Sequence, residues 1–173
     1  MGGRARILRH LCSTRLHTRA RFTPAVLDEI ERAVQQAEAH HSGEIRFAVE
    51  TALPLAALCR GLSPRERALQ VFAHLHIWDT HHNNGVLIYV LCADRAVEIV
   101  ADRGISARVK SAEWEAICRD VEQYFRAGRF AEGARAAVAG VASLLVRHFP
   151  AGADVGGGNT SEPNELPNRP VLL

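Results

Sequence analysis

The feature that most restricts the fold of this chain is the run Val86-Leu87-Ile88-Tyr89-Val90-Leu91-Cys92, opened by Gly85. A half-exposed strand alternates apolar and polar residues. An uninterrupted run rich in β-branched residues instead describes a central strand covered on both faces. Such a strand requires a layer on each side, so the rest of the chain must supply helices to both.

The flanking sequence does so. Thr23-Pro24 is an N-cap followed by proline at the first helical position. Leu27, Ile30, Ala33, Val34 and Ala37 then recur at helical spacing and predict a helix over 24–39. Ser42-Gly43 ends it, and 44–50 alternates, with Ile45, Phe47 and Val49 on one face and Arg46, Ala48 and Glu50 on the other. After a loop holding Pro54 and Gly61, Ser63-Pro64-Arg65-Glu66 reads as a capping box that opens a helix, its stripe Ala68, Val71, Phe72 and Leu75. Ala93-Asp94-Arg95 turns the central strand into another over 96–101, and helices at about 112–126 and 130–149 follow, separated by Gly128. Trp78 and Trp114 read as core aromatics. The order α-β-α-β-β-α-α predicts a three-layer α/β/α sandwich, its small mixed sheet carrying helices on both faces.

Charge divides the chain. Residues 1–21 hold six arginines and no acid, whereas 22–173 hold 15 basic and 19 acidic residues. The net +2 is thus a basic leader on a mildly acidic body, which argues against the body as a nucleic-acid binder. The leader reads first as a solvated tail. Its second reading is a short basic helix with Ile7, Leu8, Leu11, Cys12 and Leu16 on one face, suited to an anionic membrane surface, and its composition also suits an organellar transit peptide. The expected division is leader 1–21, domain 22–149 and a flexible Gly/Pro-rich tail 150–173. Arginine or histidine interrupts the leader too often for a secretory signal, and no apolar run reaches the roughly 18 residues of a span. The expected location is cytoplasmic, at most peripheral to a membrane. Four cysteines without a C-x-x-C pair predict reduced, packed thiols.

Strand direction brings three segments to one sheet edge: 40–44, 79–85 and 102–104. Glu44, Asp79, Asn83, Asn84 and Asp102 there are hard oxygen donors of the kind calcium or magnesium takes. The same residue types build ordinary turns, and Asp79 also fits a cap, so both readings stand at this stage. The adjacent pairs His40-His41 and His81-His82 should diverge rather than form a zinc site, and read as solvated or capping. No G-x-S-x-G, P-loop or G-x-G-x-x-G occurs, which points away from a nucleotide cofactor. Arg103 fits either an ion pair with Asp102 or a phosphate contact.

Ser42-Gly43-Glu44-Ile45, Trp78-Asp79-Thr80 with Asn83 to Tyr89, and Glu98 to Ile105 resemble blocks of the TPM domain family, which includes thylakoid-lumen, photosystem-repair and bacterial YgcG-like proteins. Trp114 to Ile117, Phe125 to Gly128 and Asn164-Glu165-Leu166-Pro167 are similar to its short soluble bacterial members. The resemblance implies the same sandwich and a divalent-metal site, usually discussed as calcium, at Asp79 through Asn84 and Asp102. Two readings stand beside it. One is a non-enzymatic accessory protein with an unidentified partner, such as a membrane protein under assembly or maintenance. The other is a metal-assisted acid phosphatase, with Asp79 or Asp102 as nucleophile or ligand and Arg103 on the phosphate. The lack of a nucleophile–base pair favours the first.

Overall fold

The computed structural model describes residues 2–152 and 165–173. Its elements run α1 (Gly2–Cys12), α2 (Arg15–Arg21), α3 (Pro24–Glu38), β1 (Ile45–Glu50), α4 (Leu55–Cys59), α5 (Pro64–His74), β2 (Val86–Leu91), β3 (Ala96–Ala101), α6 (Arg103–Ser106), α7 (Ser111–Arg126), α8 (Phe130–His148) and β4 (Val171–Leu172). The sheet order is β3-β2-β1-β4. β1 pairs parallel with β2 from Ile45↔Val86, and β2 antiparallel with β3 from Val86↔Ala101.

The central run owes its continuity to this layering. Val86, Ile88 and Val90 join Ile45, Phe47 and Val49 in a core packed by α3, α7 and α8. Leu87, Tyr89 and Leu91 point the other way, into a core with Ala48, Val100 and residues of α4 and α5. Every β2 residue is buried, so a polar residue anywhere on it would forfeit about 1.5–3 kcal/mol of burial. The helix starts are as the sequence predicts. Thr23 Oγ1 accepts the Val26 N–H at 3.3 Å, and Ser63 and Glu66 exchange hydrogen bonds at 3.1 and 2.8 Å.

Three expectations are corrected. The leader is no solvated tail, because a carboxylate on the body meets it: Asp94, in the β2–β3 turn, accepts both Arg6 Nε and Nη2 at 2.9 and 2.7 Å. Buried His10 adds Nε2 at 3.0 Å from Asp94, takes the Leu53 N–H on Nδ1 at 2.9 Å, and Ile7 packs against the second core. The C-terminal stretch is likewise no free tail where it is described. Leu166 enters the second core, and β4 pairs parallel with β1 at Ala48↔Val171. Buried Arg46 holds this stretch by donating to the carbonyls of Pro167 and, at 3.0 Å, Arg169. The rest of the predicted tail, 153–164, lies outside the described residues. Trp78, finally, is not core but 51% exposed. His76 takes a left-handed turn (φ +54°) that sends Ile77 into the interior and Trp78 outward.

The polar face predicted for β1 is covered too. Arg67 forks onto Glu50 at 2.8 and 3.0 Å, and Tyr89 donates its hydroxyl to the same carboxylate at 2.6 Å. Burial, and then the hydrogen bond to Glu50 and its charge, push the phenol's pKa well up. All four cysteines are free thiols, but only Cys92 and Cys118 are packed, whereas Cys12 and Cys59 are exposed. Burial raises both Cys92 and Cys118, the latter to about 12.

Candidate cation site at one sheet edge

The sheet ladder runs one residue past the strands at the predicted edge. Val86 N–H donates to the Glu44 carbonyl at 2.8 Å and Asp102 N–H to the Gly85 carbonyl at 2.9 Å. The residues entering β1 and β2 and leaving β3 are therefore side by side. Asn84, fully buried, clamps two of the segments, since its N–H donates to Thr80 Oγ1 at 3.2 Å and its Nδ2 to the Ser42 carbonyl at 2.9 Å. Gly104 brings in the third. Its N–H donates to the Asn83 carbonyl at 2.8 Å, and a Cβ there would lie 2.6 Å from the carbonyl oxygens of both His82 and Asn83. Only glycine permits that approach.

The side chains follow from this frame. Asp102 is 9% exposed; its Oδ1 accepts the Arg103 backbone N–H at 2.7 Å, and its buried Oδ2 has no hydrogen-bond partner. Asn83, at φ +52°, offers Oδ1 to Arg103 Nε at 3.0 Å. The Arg103 side chain thus turns to an amide rather than to its neighbouring carboxylate. Glu44 Oε1 accepts the Glu165 N–H at 3.1 Å, and Glu165 in turn accepts the His81 N–H at 3.0 Å. Glu44, Asn83, Asn84 and Asp102 share this network of loops. The exposed Asp79 lies on the same loop, its N–H bound to the His76 carbonyl at 3.0 Å.

Two carboxylates escaped sequence reasoning. Glu38, at the end of α3, accepts the Ile45 N–H at 3.2 Å. Burial, and then the charge of Glu44, raise its pKa to about 7. Its only signal was a position just before the Ser42-Gly43 stop. Glu165 stood inside a segment that carried the resemblance, but the surrounding prolines and glycines described a tail.

The histidines also depart from expectation. The rings of His81 and His82 do not diverge but meet edge to face, 4.6 Å between centroids. His41 is buried rather than solvated, and burial lowers its pKa to about 4 against an opposing pull from the Gly43 backbone.

Among the described residues, no three His, Cys, Asp or Glu side chains are placed to hold a metal ion. A cation at this edge would therefore draw on amide and carbonyl oxygens alongside the carboxylates, a donor set for a hard ion. Asp102 is largely enclosed, whereas Asp79 is exposed on the loop that follows α5.

The architecture and its loop-built edge define an α/β/α domain of the TPM type. The family model for the TPM domain matches residues 18–144, and the chain belongs to that family. Among solved structures, the chain is similar to the BA42 protein of the psychrophilic bacterium Bizionia argentinensis, determined by NMR, at 28% identity and a TM-score of 0.71, covering 87% of this chain and 94% of that one. The N-terminal domain of a protein from P. gingivalis matches at 20% identity and a TM-score of 0.57, covering 73% and 80%. That likeness is one of fold. No curated protein matches.

Proposed function

We propose that this protein is a non-enzymatic accessory module whose sheet-edge loops bind a divalent cation, calcium in preference to magnesium. The observation that carries the reading is Asp102 Oδ2, a buried carboxylate oxygen without a hydrogen-bond partner between two glycine-fitted loops. A buried, unsatisfied carboxylate oxygen is costly unless something cationic meets it. Asp102, with oxygens of Glu44, Asn83 and Asn84, would hold the ion, and Asp79 would lie at its solvent side. The ion would neutralise the acidic edge and fix the loops. Calcium is favoured because it accepts irregular sets of carboxylate, amide and carbonyl oxygens, whereas magnesium demands near-octahedral order. Exposed Trp78, next to Asp79, supports the adaptor role, since tryptophan is enriched where protein partners anchor. The partner class proposed is a membrane protein under assembly or maintenance.

Calorimetric titration tests the reading. Calcium should bind the wild type with one-site heats, and Asp102→Asn should weaken it at least tenfold; equal heats for the two proteins would remove Asp102 from the site.

The second reading is a metal-assisted phosphatase, favoured by the name of the family model, TPM_phosphatase, and by Arg103 beside the loop. Phosphate-ester turnover that co-purifies with the protein and is lost in both Asp79→Asn and Asp102→Asn would support it. Turnover indifferent to both substitutions would mark a contaminant.

A further inference from the structure

The end of the sheet opposite the acidic edge is built in the opposite sense. We propose that α1 and α2 form a docking face for an anionic phospholipid bilayer, with leucines entering the boundary of the acyl region and arginines engaging headgroup phosphates.

The face is tied to the body before any lipid arrives. Asp94, its side chain nearly buried, holds Arg6 and His10, and Arg9 reaches it at 3.3 Å. Burial opposes ionisation, but the hydrogen bonds from Arg6 and the close approach of His10 keep the carboxyl below its ordinary pKa. These inward contacts dictate what the opposite side of α1 presents. Arg4, Leu8 and Leu11 follow at helical spacing on its exposed side. Leu8 and Leu11 are each 62% exposed, and Leu16 on α2 is 76% exposed. Arg15 and Arg19 flank Leu16, and Leu172 of β4, also exposed, lines a small hollow with both arginines.

A cleft of about 240 Å³ lies between the two helices and the β2–β3 turn. Arg9, Arg21, Arg95 and His17 line it together with Ser13 and Thr14, and no acidic residue among the described residues does. That is the chemistry of a phosphate receptor. Charge alone would fit any polyanion. The exposed leucines select lipid, because apolar side chains gain nothing from a nucleic-acid backbone but are stabilised when buried at the boundary of the acyl region. No helix among the described residues is long and apolar enough to cross a membrane, so contact through this face would be peripheral.

Vesicle flotation with the full chain tests the proposal. Vesicles of phosphatidylcholine with one quarter phosphatidylglycerol should carry the protein, and pure phosphatidylcholine should not. Leu8→Asp/Leu16→Asp should cut binding at least tenfold. Arg15→Gln/Arg19→Gln should cut it by about fivefold per guanidinium removed, and Arg95→Gln should weaken it without changing the circular dichroism. Added inorganic phosphate at millimolar concentration should leave flotation unchanged. Failure to float on the anionic vesicles would overturn the proposal. So would flotation untouched by the leucine changes, or leucine-independent binding to single-stranded RNA of the same strength, since either would leave charge as the sole determinant.

Discussion

Removing the charge of Glu38 should change how stability depends on pH, in a direction the structure fixes. The carboxyl ends α3 beneath Glu44, and burial followed by that neighbouring charge raises its pKa from 4.5 to about 7. The folded state therefore holds this proton more tightly than the unfolded state does. The stabilisation is fully present below pH 4.5 and is lost as pH rises through 7. A displacement of this size corresponds to at most about 3 kcal/mol, and partial solvent access reduces it to ~2 kcal/mol. Glu38→Gln keeps the shape without the titration. Urea denaturation followed by circular dichroism from pH 4.5 to 8.5 should show the wild type losing ~2 kcal/mol relative to the variant across that range. His41 acts in the opposite direction, because its depressed pKa of about 4 costs stability as pH falls from 6.5. It is present in both proteins, so its effect cancels in the difference. Stability curves that stay parallel across the whole range would refute the assignment. Calcium added at pH 8 should recover part of the wild-type loss, because a cation beside Glu44 favours ionised Glu38.

Asp94→Asn should release α1, since Arg6 and His10 lose the carboxylate that binds them. The expected cost is about 2–3 kcal/mol, with hydrogen-exchange protection lost over 4–12 and retained in β2. Gly104→Ala must push its Cβ against two carbonyls 2.6 Å away. A loss of roughly 1–3 kcal/mol is expected, with amide shifts confined to residues 79–85 and 102–104; an unperturbed loop would show that the close approach is not real. Arg46→Met strips the carbonyls of Pro167 and Arg169 of their donor. Limited proteolysis should then cut within 165–173 faster than in the wild type.

The layered fold was legible because its determinants are local and redundant. A capping box at Ser63, a proline after Thr23 and a seven-residue apolar run each have one sensible structural answer. The convergence of Glu44, Asn84 and Asp102 was legible for a different reason, as strand direction alone brings their segments to one edge. What stayed hidden depends on partners distant in sequence. Nothing around Arg6 announces Asp94, 88 residues away, and local composition therefore described a solvated tail. Arg46 alternates with apolar neighbours as an outward residue should, yet a C-terminal strand covers it. Trp78 lies outside the core because the left-handed turn at His76 gives the inward position to Ile77, a conformation that hydrophobicity does not encode.

The proposed divalent cation would lie among the loops at the start of β1 and β2 and the end of β3. Two-dimensional amide NMR during calcium titration, with magnesium as the comparison, tests it most directly. Saturable shifts should cluster at 43–44, 79–85 and 102–104, stronger for calcium than for magnesium and absent in Asp102→Asn. Unchanged amides over those residues at millimolar calcium would contradict it.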